Sequence, residues 1–280
     1  MINSQKKRLL QLTAKKTVLS FIDLIFPCVC IGCEKEGMWL CARCFDSIPI
    51  TLANHCPFCE KKTLFGNTCE DCKNIHFLDG AISATAYSNE LILSMIHCWK
   101  YNSIKQMTPY LGEFVSKSII YAQRRIKINT QKFIEQGVQK NDIKFFDSIP
   151  AILTNMEIDL QPIPLHPKKE KQRGFNQAYV LAKHIARNFK TFNLADFLER
   201  TKKTTAQATL SGTDRSVNMN NAFKLRSELS NKIIKKHIVL VDDVITTAST
   251  TDECALLLKN AGASSVWALT IAYGHPIKEK

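Results

Sequence analysis

Four C-x2-C pairs, Cys30/Cys33, Cys41/Cys44, Cys56/Cys59 and Cys69/Cys72, crowd into one short stretch. The turn inside such a pair points both sulfurs at one centre, and two pairs complete a tetrahedral thiolate shell of the kind that suits Zn2+. Segments this short bury too little apolar surface to fold alone, so metal supplies the missing stability. The expectation is two structural zinc sites. Sequential wiring joins Cys30, Cys33, Cys41 and Cys44 on one ion and Cys56, Cys59, Cys69 and Cys72 on the other. A crossed wiring, first pair with third, fits the spacing as well. Four thiolates close a coordination shell and leave no position for catalysis. His55 and His76 flank the pairs without a necessary role, and Cys28 is spare.

Nine of the eleven cysteines lie between Cys28 and Cys72. A disulfide scaffold of that density belongs to secreted chains. The apolar run Val18 to Phe26 does not read as a secretory leader, because Asp23 interrupts it and no small-residue cleavage site follows. It is also shorter than the roughly 20 residues of a membrane span. Val18, Phe21, Ile22 and Ile25 repeat at helical spacing and predict an amphipathic helix. The reading is a cytoplasmic protein with metal-bound thiolates and no transmembrane segment.

Three regions follow: an amphipathic helix over 1–26, a double zinc ribbon over 27–78, and an α/β domain over 79–280. Ala81 to Tyr87 predicts a strand. Leu91, Met95, Ile96 and Trp99 predict a helix, and another spans about Tyr110 to Ile126. A polar excursion covers 127–148. Strand and helix then alternate: Leu160 to Leu165, Asn176 to Phe189, Lys236 to Asp242, Thr250 to Asn260, Val266 to Tyr273. The continuous apolar run Ile238 to Val241 suits a strand buried on both faces of a parallel sheet.

That strand ends in Asp242-Asp243 and leads through Thr246-Thr247-Ala248-Ser249-Thr250 into a helix. Free N–H groups at a helix start attract a phosphate, and the four hydroxyls add donors. The carboxylates repel phosphate but accept hydrogen bonds from ribose hydroxyls. The predicted order is therefore phosphate in the loop and sugar diol on the acids. A formal net charge of +13 favours an anionic partner. Trp99, Lys100 and Tyr101 form an aromatic-basic cluster able to stack bases, although Trp99 also continues a core face.

The acidic loop resembles the phosphoribosyl diphosphate (PRPP) loop of type I phosphoribosyltransferases. The chain resembles, more narrowly, the ComF family, phosphoribosyltransferase-like proteins linked to natural competence and DNA uptake. The block Pro164 to Gln177 with its Arg173-Gly174-Phe175-Asn176-Gln177, the segment from Gln207 through Arg215 to Phe223, and the cysteine pairs carry that resemblance. It implies a type I phosphoribosyltransferase-like fold, a parallel sheet flanked by helices, preceded by the small cysteine-rich module. It places Pro164 to Pro167, including His166, near the diphosphate. It makes Thr204 to Asn218 a closing loop, and Lys169, Arg173 and Arg215 diphosphate contacts. Mg2+ would accompany PRPP. The family usually carries glycine where this chain has Ala248, a position where glycine reaches positive φ freely.

Three functions fit. One is a PRPP-binding protein of natural competence that handles incoming single-stranded DNA with the uptake machinery. Another is a metabolic phosphoribosyltransferase acting on a base or amine. The third is a PRPP sensor without turnover.

Overall fold

The computed structural model describes residues 28–101, 104–135, 150–154, 156–201 and 222–274. The segment read as an N-terminal helix, the closing loop Thr204 to Asn218 and Arg215 within it lie outside these residues. The chain divides into two compact units, Met1–Ile48 and Pro49–Lys280. The division falls between the two four-cysteine sets, so the second set is built into the larger unit.

The two cysteine ribbons repeat one local design. In the first, Cys30 N donates to Lys35 O (2.8 Å) and Glu34 N to Cys30 O (2.7 Å). Cys41 then caps the short helix α1 (Ala42–Asp46) by accepting from Cys44 N. In the second, Cys56 N donates to Lys61 O (2.8 Å) and Glu60 N to Cys56 O (3.1 Å). Cys69 precedes helix α2 (Glu70–Lys73). Glu34 and Glu60, each one residue past a C-x2-C pair, both sit at φ 60°. That left-handed turn costs a non-glycine residue on the order of 1 kcal/mol and lets the knuckle close.

The larger unit is a five-stranded sheet ordered β1-β7-β6-β2-β3, and every neighbouring pair is parallel. Its strands are β1 (Gly80–Ala86), β2 (Ile158–Pro162), β3 (Phe192–Leu194), β6 (His237–Ile245) and β7 (Ser265–Tyr273). A two-stranded antiparallel pair, β4 (Leu198–Arg200) with β5 (Phe223–Leu225), stands apart from it. Side chains alternate across a strand. Ile238 and Leu240 join one core cluster with Cys254, Ala255 and Leu258, and Val239 and Val241 are buried on the other face. Burial on both faces explains the unbroken apolar run of β6.

Helices α3 (Glu90–Tyr101), α4 (Met107–Glu135), α5 (Pro167–Arg173), α6 (Gln177–Asn188) and α7 (Ser249–Asn260) complete the fold. α3 buries Ile92, Met95, Ile96 and Trp99. Asn176 caps α6 through Tyr179 N (3.2 Å) and also donates to Ile163 O (3.2 Å), which ties the helix start to the end of β2. α4 runs to Glu135, past the expected end near Ile126. Its buried face stops at Ile126, and Ile128 is exposed.

β1 is an edge strand, and the second ribbon covers that edge. Thr51 N donates to Ala84 O (3.0 Å) and Thr68 N to Asp79 O (2.9 Å). Ala86 N donates to Thr51 Oγ1 (3.2 Å), and Asn67 bridges Gly80 in antiparallel register.

Candidate functional site

The chain leaves β2 for β3 on one side and β6 for β7 on the other, although β2 and β6 are neighbours. Such a switch point opens a crevice at the carboxyl ends of the two strands, where ligands bind in α/β sheets. The segment after β2 and the loop after β6 both emerge there.

The β6 loop forms a cup of about 60 Å3 lined by Asp242 and Val244 to Thr251. Thr246, Thr247, Ser249 and Thr250 are exposed there. The hydroxyls of Thr247 and Ser249 lie 2.9 Å apart. Ala248 is the N-cap of α7, in the left-handed conformation at φ 57° and ψ 3°. Its methyl group is 5% exposed and belongs to the core cluster. Thr251 Oγ1 donates to Ala248 O (2.8 Å) and Asp252 N to the same carbonyl (2.8 Å). These bonds hold the turn against its strain and leave the first N–H groups of α7 facing the cup.

Asp242 and Asp243 are both half-buried. Asp243 N donates to Asp242 Oδ1 (2.8 Å). Burial, then the adjacent Asp243 charge, pushes Asp242 up to about 7. The Asp243 N–H, Lys100 and Arg173 pull in the opposite direction without cancelling it. Lys100 Nζ donates to Asp243 Oδ1 at 2.8 Å, with the two side chains 16% and 13% exposed. The aromatic-basic cluster therefore separates. Trp99 is fully buried and donates through Nε1 to Thr108 Oγ1 (3.0 Å). Lys100 serves the acids, and Tyr101 is exposed.

Arg173 ends α5. Its guanidinium lies 5.7 Å from the Tyr101 ring centroid and donates to Gln177 Oε1 (3.1 Å). Gln177 is only 2% exposed, so it fixes the arginine firmly. His166 caps α5 by accepting at Nδ1 from Lys168 N (3.1 Å). Lys169 is exposed on the same helix. Arg173 is thus brought to the acids electrostatically. His166 and Lys169 line the segment after β2, and Arg215 lies outside the described residues. Lys100 and Gln177 are the contributors that spacing alone does not reveal.

The cysteines gather as Cys30, Cys33, Cys41, Cys44 and as Cys56, Cys59, Cys69, Cys72, with all sulfurs of a set within 4.8 Å of one another. Cys33 Sγ lies 3.7 Å from Cys41 Sγ, and Cys59 Sγ lies 3.6 Å from Cys69 Sγ. A tetrahedral ion with metal–sulfur bonds of about 2.3 Å requires sulfurs about 3.8 Å apart, so both sets fit Zn2+. Burial raises Cys30, but the N–H groups of Cys41, Gly32 and Cys33 outweigh it and bring the thiol to about 6. In the same set, the side-chain bond with Cys41 and then burial push Cys44 up to about 12, so the four thiols do not ionise together without a cation among them.

The second ribbon is locked to α7, the helix that follows the β6 loop. Asp252, in the first turn of α7, accepts from Phe77 N (2.7 Å) and Leu78 N (3.0 Å). Its other oxygen pairs with His76 Nδ1 (2.8 Å). His76 in turn stacks on Phe58, with centroids 3.6 Å apart. Lys259, late in α7, holds Asp79 (2.7 Å).

Residues 176–280 match the family model described as a phosphoribosyl transferase domain. "Competence protein F" of Haemophilus influenzae is 28% identical over 240 residues, 83% of this chain and 96% of its own length. Over most of its length the chain is similar to this competence protein. "Competence protein ComFC" of Streptococcus pneumoniae is 24% identical over 258 residues, 90% of this chain and 92% of its own. "DNA utilization protein YhgH" of Escherichia coli K12 is 38% identical over 109 residues, 38% of this chain and 46% of its own. In this chain, no helix of the described residues is long and apolar enough to cross a membrane.

Proposed function

We propose that this chain binds PRPP at the crevice between β2 and β6 and acts in the cytoplasm during DNA uptake in natural competence. One observation carries the PRPP reading. The paired acids at the end of β6 run directly into a hydroxyl-lined cup at a helix start, beside the arginine of the β2 segment. The 5-phosphate takes the cup, held by Thr246, Thr247, Ser249, Thr250 and the N–H groups of α7. Asp242 and Asp243 accept from the ribose hydroxyls. Arg173 and Lys169, with Arg215 and the His166 segment, receive the diphosphate, for which a guanidinium fork is well matched. Mg2+, when bound with PRPP, offsets the charge of the diphosphate. Asp242 must be ionised to hold the sugar, and Lys100 with Arg173 favours that state.

The competence reading draws on what the relatives are called and on the +13 charge. It gives single-stranded DNA and the uptake machinery as partners, with DNA binding that weakens steeply in salt. The two cysteine sets hold structural Zn2+. A second reading, PRPP sensing without turnover, is favoured by Ala248, whose left-handed backbone narrows the choice of loop conformations.

Calorimetric titration of PRPP with Mg2+ into the zinc-loaded chain tests the site. A Kd near about 1 μM (about −8 kcal/mol) that Asp242→Asn/Asp243→Asn abolishes is the expected result. No heat of binding in the parent chain would sink the PRPP reading.

A further inference from the structure

The larger unit holds a cavity of about 400 Å3 that shares no lining residue with the cup after β6. Its size lies within the range of small-molecule sites. One wall comes from the second ribbon, whose hairpin sets Asn54 beside Lys62 and Thr63. His55 bridges Lys62 in antiparallel register, and Thr63 N donates to Asn54 O (2.9 Å). The other wall is α4, through Ala122 and Arg125.

The lining has two chemical parts. Leu52, Leu64, Phe65 and Ala122 are apolar, and Leu64 is 44% exposed. Lys62 and Arg125 are exposed cations, and no carboxylate lines the cavity among the described residues. Nearby lysines of the ribbon are neutralised, Lys61 by Asp71 at 3.1 Å and Lys73 by Glu70 at 2.7 Å. Lys62 and Arg125 have no carboxylate partner among the described residues. The Arg125 guanidinium instead lies over the Tyr121 ring, 5.7 Å from its centroid. Such stacking orients the guanidinium plane and leaves its N–H donors free for an anion. Two uncompensated cations beside apolar surface call for an anion with an apolar body.

The turn that carries Phe65 is held in a strained form. Phe65 sits at φ 54° and ψ 18°, a left-handed conformation that is rare for a bulky side chain and concentrates at ligand-binding sites. Gly66 behind it packs so closely on β1 that a Cβ would run into Ala81 O. β1 therefore braces the turn that brings Phe65 to the cavity. Asn54 is exposed, and its amide offers both a donor and an acceptor to the edge of a ring.

We infer that this cavity is a binding site for a mononucleotide, with the base on Phe65 and its aliphatic neighbours, the base edge at Asn54, and the phosphate shared by Lys62 and Arg125. One nucleotide matches a cavity of this size with two cations, whereas a strand needs a longer cationic track. The site is separate from the crevice and does not depend on the PRPP reading.

The test uses the zinc-loaded full chain and four probes: adenosine monophosphate, adenosine, inorganic phosphate and a short oligodeoxyadenylate. Calorimetry should show the monophosphate binding at least about tenfold more tightly than adenosine or inorganic phosphate. Saturating PRPP with Mg2+ should leave that binding in place, as should Asp242→Asn/Asp243→Asn. Lys62→Gln and Arg125→Gln, both at exposed positions, should each weaken the monophosphate by about tenfold or more. Both should keep the parent's melting temperature and PRPP affinity. A monophosphate bound no better than adenosine overturns the site, as does an affinity indifferent to both charge variants. Displacement by PRPP also overturns it, by placing the monophosphate in the cup. Tighter binding of the oligonucleotide than of the monophosphate, lost in the same two variants, overturns it in favour of a strand surface. A parent chain that binds no PRPP fails the function proposed above, while the two charge variants still decide this site.

Discussion

Lys100 governs how the two acids of the crevice behave. It neutralises Asp243 at 2.8 Å while Asp242 stays pushed up to about 7. Ribose needs the ionised acid, so PRPP affinity should rise with pH through about 7. Lys100→Met should move that midpoint upward, as calorimetry across neutral pH would show; an unmoved midpoint counts against the pairing. For stability the sign is opposite. Asp242 binds its proton more tightly folded than unfolded, where the pKa is about 3.9. The native state therefore holds more protons between about pH 4 and 7, and this group's contribution falls as pH rises through that window. Urea melts at both ends of the window read the difference. Ala248→Gly sets two effects of similar size against each other. Relief of the left-handed strain gains about 1 kcal/mol, and the buried methyl lost is worth about 0.8 kcal/mol. The expected net change lies within about 1 kcal/mol, and a larger loss would mean that the methyl packs more tightly than its burial implies. The acids and hydroxyls were readable because they are contiguous. Lys100 was not, because nothing local to residue 100 announces a partner at 243.

At the scale of elements, α7 does two jobs. Its start faces the cup, and its Asp252 carries three bonds from the ribbon. Asp252→Ala should cost about 1–3 kcal/mol by orphaning the Leu78 N–H and freeing His76. Asp252→Asn should keep part of that, since its amide oxygen still accepts; equal losses in urea melts would contradict this. Gly112 marks where α4 and α6 meet, because a Cβ there would run into the His184 ring. Gly112→Ala should cost about 1–3 kcal/mol by overpacking. Helices α3 and α6 were legible from their apolar stripes. α5 was missed, although Pro167 at its first turn and Gly174 at φ 77° are ordinary start and stop signals. With no buried face, it shows no periodicity. The end of α4 lies beyond the expected Ile126, at Glu135.

Across the larger unit, the sheet is wholly parallel, and its apolar edge strand Gly80–Ala86 is shut off by the ribbon of Cys56 to Cys72. The alternation of strands and helices was visible in the chain, because each parallel crossover needs a helix. The covering of β1 was not, because the contacts join residues such as Thr51 and Ala84 with no patterned signal between them. The ribbon has little apolar core of its own, so, with Zn2+ in the second thiolate set as proposed, its bonds to β1 should depend on that ion. Stripping that ion should uncover a row of unpaired N–H and C=O groups flanked by buried-type residues, a template for pairing with another chain. Treatment with a strong chelator should therefore yield concentration-dependent particles by light scattering before secondary structure is lost. Clean unfolding without association would contradict that order of events. On this view, the second metal site does more than hold a fold together. With Zn2+ bound as proposed, it would also keep copies of the chain from finding one another, and loss of the metal should show first as aggregation rather than as an inactive monomer.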